Sequence, residues 1–168
     1  ETASLSSVSL RISNCFGPPA FGSSKSEWPV INDFCRSAVE DREIVMKSDG
    51  SAHRDFIFVD DLALVVERLC VAAPRLEGFQ IFNFASGKSM SLGHAAETVK
   101  RLAGRLLGID AALTKADTQD LAVTEVKPFT VSTRSLQEAI GEVEMQSFEE
   151  GVSINLSHFL AQKEKQRA

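Results

Sequence analysis

The sequence contains no tyrosine among its 168 residues. No phenol in this chain can therefore trade a proton with a bound hydroxyl, and that form of acid/base chemistry is excluded from these residues. Its ten glycines nowhere form Gly-x-Gly-x-x-Gly, the spacing that lets backbone N–H groups approach a pyrophosphate. Gly87-Lys88-Ser89 copies the tail of a P-loop, but Phe82 stands where the first glycine of that loop belongs. The only cysteines, Cys15, Cys35 and Cys70, are odd in number and widely spaced, so they imply neither a disulfide framework nor a zinc site. Reduced thiols in the cytoplasm fit them best. His53, His94 and His158 lie far apart with no Glu or Cys at ligand spacing, and no Gly-x-Ser-x-Gly elbow is present, so metal and hydrolase readings find no support. No apolar run approaches the roughly 18 residues of a membrane span, and the N-terminus lacks the basic flank and apolar stretch of a signal peptide. Eighteen basic against 23 acidic side chains leave a net charge of −5, and the one basic cluster is Lys163-Glu-Lys-Gln-Arg167, which argues against a nucleic-acid partner.

What is present, 43% hydrophobic and 24% charged residues, suffices for one soluble domain with a buried core. The chain opens at Glu1 without Met and runs almost at once into an apolar strand, so it is expected to begin mid-protein. Val8 to Ile12 alternates apolar and polar residues and predicts a strand, which Asn14-Cys-Phe-Gly-Pro-Pro19 should break into a loop. Val30, Ile31, Phe34, Cys35 and Ala38 recur at helical spacing and predict a helix ending near Glu40. Arg42 to Lys47 is β-rich, and Phe56 to Val59 is a further strand candidate. Asp60 or Asp61 then caps a helix carrying Leu62, Val65, Val66 and Leu69 on one face. Phe79 to Ala85 reads as a buried strand and Ser86 to Ser89 as its turn. Ser91 caps a helix through about Leu107 with Ala95, Val99, Leu102 and Leu106 toward the core. The pattern weakens over residues 111 to 130 and returns as a helix at Ser135 to Ile140. Ser147-Phe-Glu-Glu150 is a capping box for a last helix through about Gln162. Strand, helix, strand, strand, helix, strand, helix gives an α/β fold.

Two segments carry chemistry. Asn14 follows a strand, where open α/β sheets present residues to ligands, although an Asn in a turn also bonds its own backbone. Arg54 precedes a strand and is equally suited to a surface ion pair with Asp55. Taken in order, L-R-x-x-N-x-x-G-P from Leu10, D-G-x-x-x-R-D-F-I-x-V-D-D-L-A from Asp49 and F-N-x-A-S-G-K-x-x-S-L from Phe82 resemble the C-terminal half of the NAD-dependent epimerase/dehydratase family, within the extended short-chain dehydrogenases. The likeness covers residues 8 to about 107, and Val131 to Gly141 is similar to the family's late strand and helix.

The resemblance implies the C-terminal part of a Rossmann-like doubly wound α/β fold, with late strands and helices at about 8–19 and 55–86. A small substrate-binding lobe would occupy about 20–50 and 88–168. The family's Gly-rich loop and its catalytic Ser/Thr with Tyr-x-x-x-Lys lie in an N-terminal part that this chain lacks, so no catalytic residue is expected here. Ile12, Ser13 and Asn14 would meet the nicotinamide end of NAD or NADP, most of which the missing part would bind. Asn14 and Arg54 would hold the diphosphate of a nucleotide-sugar, Arg54 because a guanidinium is always charged and grips phosphate oxygens bidentately. Trp28, Val30, Val45 and Met46 would enclose the base, though Trp28 is as well placed to pack on Phe34. The family's Arg-x-Gly-Asp before its late strand has no counterpart in Lys115-Ala-Asp-Thr-Gln-Asp120, where Lys115 is the nearest substitute. His53 adjoins Arg54 and either faces the sugar or is structural. The expected activity is epimerisation or dehydration of a nucleotide-sugar by a longer, cytoplasmic protein; members of the family commonly dimerise through helices of the missing part, so the resemblance is compatible with a full-length homodimer and leaves the oligomeric state open. Two alternatives stand beside it: a non-catalytic nucleotide-sugar binding module or split-enzyme subunit, and an NADP-dependent carbonyl reductase of the same fold.

Overall fold

The computed structural model describes residues 5–20, 28–115 and 130–167. It is a mixed α/β fold with parallel strand pairs, Rossmann-like as expected. Strand β1 (Ser7–Ile12) pairs in parallel with β5 (Phe79–Phe84), Ser7 opposite Phe79 and Ile12 opposite Phe84. After the single residue Ser13 the chain enters β2 (Asn14–Phe16), which pairs in parallel with β4 (His53–Phe58). The antiparallel β6 (Ser89–Ser91) completes that sheet in the order β2, β4, β6. A separate parallel pair joins β3 (Glu43–Met46) to β7 (Ala112–Lys115). Asn14 thus begins a short strand instead of a loop, because its backbone is held in register with Phe56 before Gly17 and Pro18 end the pairing.

Helix α1 (Val30–Glu40) buries Ile31, Phe34, Cys35 and Ala38 of the predicted stripe and Val39 beside them, while Val30 at its first turn is half-buried. Helix α2 (Val59–Ala72) is capped by neither aspartate. Phe58 is its N-cap residue, and Asp60 and Asp61 fall in the first turn, where negative charge complements the helix dipole. Helix α3 (Leu92–Leu107) starts as expected, with the Ser91 hydroxyl accepting from the His94 N–H at 3.1 Å. Ala95, Val99 and Leu102 are buried, but Leu106 is 45% exposed, beyond the reach of the neighbouring elements. Helix α4 (Arg134–Ile140) is present, whereas residues 131–133 form no strand. Helix α5 (Phe148–Arg167) opens on the capping box, Ser147 and Glu150 bonding each other's backbone N–H at 2.8 and 3.2 Å. It runs five residues past Gln162. The second half of the weak segment, residues 116–129, lies outside the described residues.

Two cores result. One joins Phe16, Phe56 and Phe58 to α1, α3, α5 and β3. The other joins Phe82, Phe84 and Ile57 to Val65 and Leu69 of α2 and Leu136 of α4. Helix α4 therefore packs on the β1–β5 side, although the sequence division groups it with the lobe. β5 is not the buried strand expected: Phe79 is 65% and Ile81 43% exposed. Both point away from the α2–α4 core, and no element covers that face or the free edge of β1 among the described residues.

Candidate functional site

Side chains on a strand alternate faces, so the register assigns each candidate to a side. Phe16, Phe56 and Phe58 enter the core under α1, α3 and α5. Asn14, opposite Phe56, and Arg54, two residues before it, share that face, as does Met90 opposite Arg54. Asp55 and Ile57 take the other.

Asn14 is exposed, and its Nδ2 donates to the Asp55 carbonyl at 3.0 Å across the strand pair, so it does not bond its own backbone. Ser13 Oγ donates to Asp55 Oδ1 at 2.8 Å. Ile12 is 47% exposed at the carboxyl end of β1. Arg54 lies within β4, is exposed, and donates through Nη1 only to the His53 carbonyl at 2.8 Å. It makes no ion pair among the described residues, because Asp55 is fully buried on the opposite face. His53 sits with Nδ1 2.9 Å from the Ser51 carbonyl.

The four remaining candidates meet. Trp28, Val30, Val45 and Met46 line one cleft of about 250 Å³ with Asp33, Phe34, Lys47, Ser48 and Leu92. α1 supplies one wall, β3 the other, and the start of α3 the floor. Leu92 stands two residues beyond Met90, the partner of Arg54, so the segment that lines the cleft at Leu92 continues from the strand paired with the arginine, which does not itself line the cleft. Trp28 packs edge-on against Phe159, ring centres 5.6 Å apart, instead of stacking on Phe34. Its Nε1 is buried without a partner among the described residues. A more polar hollow adjoins through Trp28, Asp33, Val45 and Lys47 and adds Arg36, Ser37 and Asp41. Arg36 is occupied there by Asp33, Glu40 and Asp41 at 3.1, 2.7 and 3.5 Å. Lys47 has no such partner among the described residues, so an apolar cleft carries an available cation at its side. Such a cleft suits a flat, partly apolar group attached to an anion.

The sequence reading missed Lys47 and Asp55. Lys47 closes the β-rich stretch and reads as an ordinary surface residue. Asp55 belongs to the R-D-F motif, which singles it out only once its neighbours are known. Lys115, the substitute for a second arginine, ends β7 beside Met46 in the register. Among the described residues no group of three His, Cys, Asp or Glu is gathered, and no helix is long and apolar enough to cross a membrane.

Similar folds are known. UDP-glucose 4-epimerase from Thermotoga maritima, solved with UDP-glucose, superimposes with a TM-score of 0.73 at 20% identity, over 93% of this chain and 46% of that one. UDP-N-acetylglucosamine 4-epimerase from Methanobrevibacter ruminantium, in complex with UDP-N-acetylmuramic acid, gives 0.70 at 24% identity over 92% and 46%. RMD from Pseudomonas aeruginosa, complexed with NADPH, gives 0.71 at 19% identity over 92% and 48%. The chain spans less than half the length of these neighbours, and at such identities the likeness is one of fold. No curated protein matches it in sequence. The profile of the NAD dependent epimerase/dehydratase family, however, matches residues 1–85, from before β1 through β5, and includes both Asn14 and Arg54. That match spans half of the chain, and the protein belongs to this family.

Proposed function

We propose that this chain is the substrate-side portion of an NAD(P)-dependent nucleotide-sugar epimerase or dehydratase, which binds and orients the nucleotide-sugar and is inactive alone. The observation that carries the reading is the convergence of Trp28, Val30, Val45 and Met46 on one cleft, with Leu92 of its lining two residues from the strand partner of Arg54. The base occupies the cleft, and Arg54 with Asn14 holds the diphosphate. A guanidinium with no ion pair among the described residues suits two adjacent phosphates better than a small neutral ketone, which favours this reading over carbonyl reduction. The half-exposed Ile12 and the backbone at Ser13 fit one side of a nicotinamide, while no glycine cradle for its phosphates exists among the described residues. The dinucleotide, when bound, supplies hydride transfer. These residues contribute position and exclude water. The lobe around the cleft is the substrate-binding part, and the β1–β5 side belongs to the Rossmann sheet.

The test is calorimetric titration of the complete protein with UDP-glucose and other nucleoside diphosphate sugars. Arg54→Ala should weaken binding at least about tenfold, or ~1.4 kcal/mol, with the melting temperature unchanged because the side chain is exposed. Unchanged affinity removes Arg54 from the site. A wild-type protein that binds none of these ligands refutes the reading as a whole.

A further inference from the structure

Asp55 is 0% exposed, yet it faces no cation among the described residues. Its Oδ1 accepts from Ser13 Oγ and from the Ser86 N–H, both at 2.8 Å. Its backbone carbonyl accepts from Asn14 Nδ2 at 3.0 Å. Three separate segments therefore meet at one residue: the junction of β1 and β2, strand β4, and the turn from β5 to β6. Among the described residues its Oδ2 has no partner, and neither has the buried Oγ of Ser89, which lies directly opposite Asp55 in the register and so on the same face.

A buried carboxylate costs desolvation energy, so this placement does not serve stability as well as a neutral acceptor would. What an anion adds is strength and direction, since it draws two donors onto one oxygen. Both donors sit just past the carboxyl ends of the parallel strands β1 and β5, the region where open α/β sheets meet their ligands. Arg54, one residue earlier on the same strand, faces the opposite side of the sheet.

We infer that Asp55 is a positioning residue of the nucleotide-sugar site: its carboxylate holds Ser13 and the Ser86 turn, and through Ser13 it sets the place of the adjacent Asn14 relative to Arg54 without touching the ligand, whereas the Asn14 amide itself bonds the Asp55 main chain, which every Asp55 variant keeps. The inference rests on the reading of Asn14 and Arg54 as diphosphate contacts. Its test is a double-mutant cycle in the complete protein, with Asp55→Ala and Asn14→Ala, read as UDP-glucose affinity by calorimetry. Each single variant should weaken binding about tenfold, and the double variant also about tenfold instead of the roughly hundredfold of independent sites. Additive losses overturn the inference, because a merely structural loss would multiply with that of Asn14. If Asp55→Ala does not fold, Asp55→Ser, whose shorter oxygen cannot reach both donors, takes its place in the cycle. Amide exchange tests the inference independently of the ligand. Exchange at Ser86 and Asn14 should quicken in Asp55→Ser while α3 stays protected, and unchanged exchange at both overturns it. Should wild-type protein bind no nucleoside diphosphate sugar, the functional reading fails, and quickened exchange supports only the anchoring that the inference asserts.

Discussion

Replacing Asn32 with Ala should cost more stability than any exposed substitution in the chain. Asn32 is 4% exposed on α1, and its Oδ1 accepts from the Gly17 N–H at 3.1 Å while its Nδ2 donates to the Gly17 carbonyl at 2.8 Å. Asn155 of α5 donates to the same Oδ1 at 3.1 Å. The side chain acts as a peptide group for the loop that ends β2 and ties it to two helices. Truncation leaves two backbone groups and one amide buried without partners, at about 1–3 kcal/mol each. Alanine returns roughly 0.5 kcal/mol through its helix propensity. The expected net loss is about 4 kcal/mol. With a urea slope near 2 kcal/mol/M, the midpoint should fall by about 2 M. Asn155→Ala should cost less, about 1–2 kcal/mol, because Asn32 keeps both bonds to Gly17 and the unpartnered Oδ1 of Asn155 is removed with it. Urea unfolding of the complete protein, followed by circular dichroism, measures both. A loss below about 1 kcal/mol for Asn32→Ala, or a larger loss for Asn155→Ala, would refute the assignment of Asn32 as the centre of this network.

Other outcomes follow from single contacts. Gly151→Ala should lower the melting temperature despite the roughly 1 kcal/mol alanine gains in a helix, since its Cβ would stand 2.7 Å from Phe58 and 2.9 Å from Phe16. An unchanged or raised melting temperature would mean that the rings move aside. Burial raises the pKa of Asp61 above its ordinary 3.8 against the pull of the Gln146 N–H, and Asp60 raises it further. A raised carboxyl pKa means stability that is present below 3.8 and lost as pH rises through the folded value. Asp61→Asn should therefore gain stability over wild type as pH climbs from 3.5 toward 7, and parallel stability curves would contradict this. The Cys35 thiol is buried and its pKa is pushed far up by desolvation, the Asn155 amide opposing, so a thiol reagent should reach it only when the protein unfolds. Labelling of Cys35 in native protein, seen by mass spectrometry, would show that α1 opens locally.

Helices were legible because their signals are local. The 3.6-residue stripe of α1, the Ser91 cap of α3 and the box at Ser147 each lie within one segment, and each element begins where those residues say. The short strands were not, since β2, β6 and β7 have three or four residues and owe their existence to partners far along the chain. No periodicity can reveal Asn14 opposite Phe56 or Ala112 opposite Glu43. Phe79 and Ile81 misled for a different reason. Their sequence is that of a strand covered on both faces, and the described residues cover one. In the site, residue types were readable and their alliances were not. Arg54 and Asp55 are adjacent and opposite in charge, which suggests a pair, but the pleat sends them to opposite faces of β4 and gives each a separate task.

Ser13 is the only residue between two ladders, since β1 pairs with β5 through Ile12 and β2 with β4 from Asn14. The strand has no slack there. An inserted or deleted residue would shift the β2 register by one, and a shift of one turns every side chain over. Cys15 would then face the α1–α3–α5 core in place of Phe16, and Asn14 would turn its amide from the Arg54 side to the Ile57 side. The count from β1 to Asn14 admits no change while both ladders keep their register.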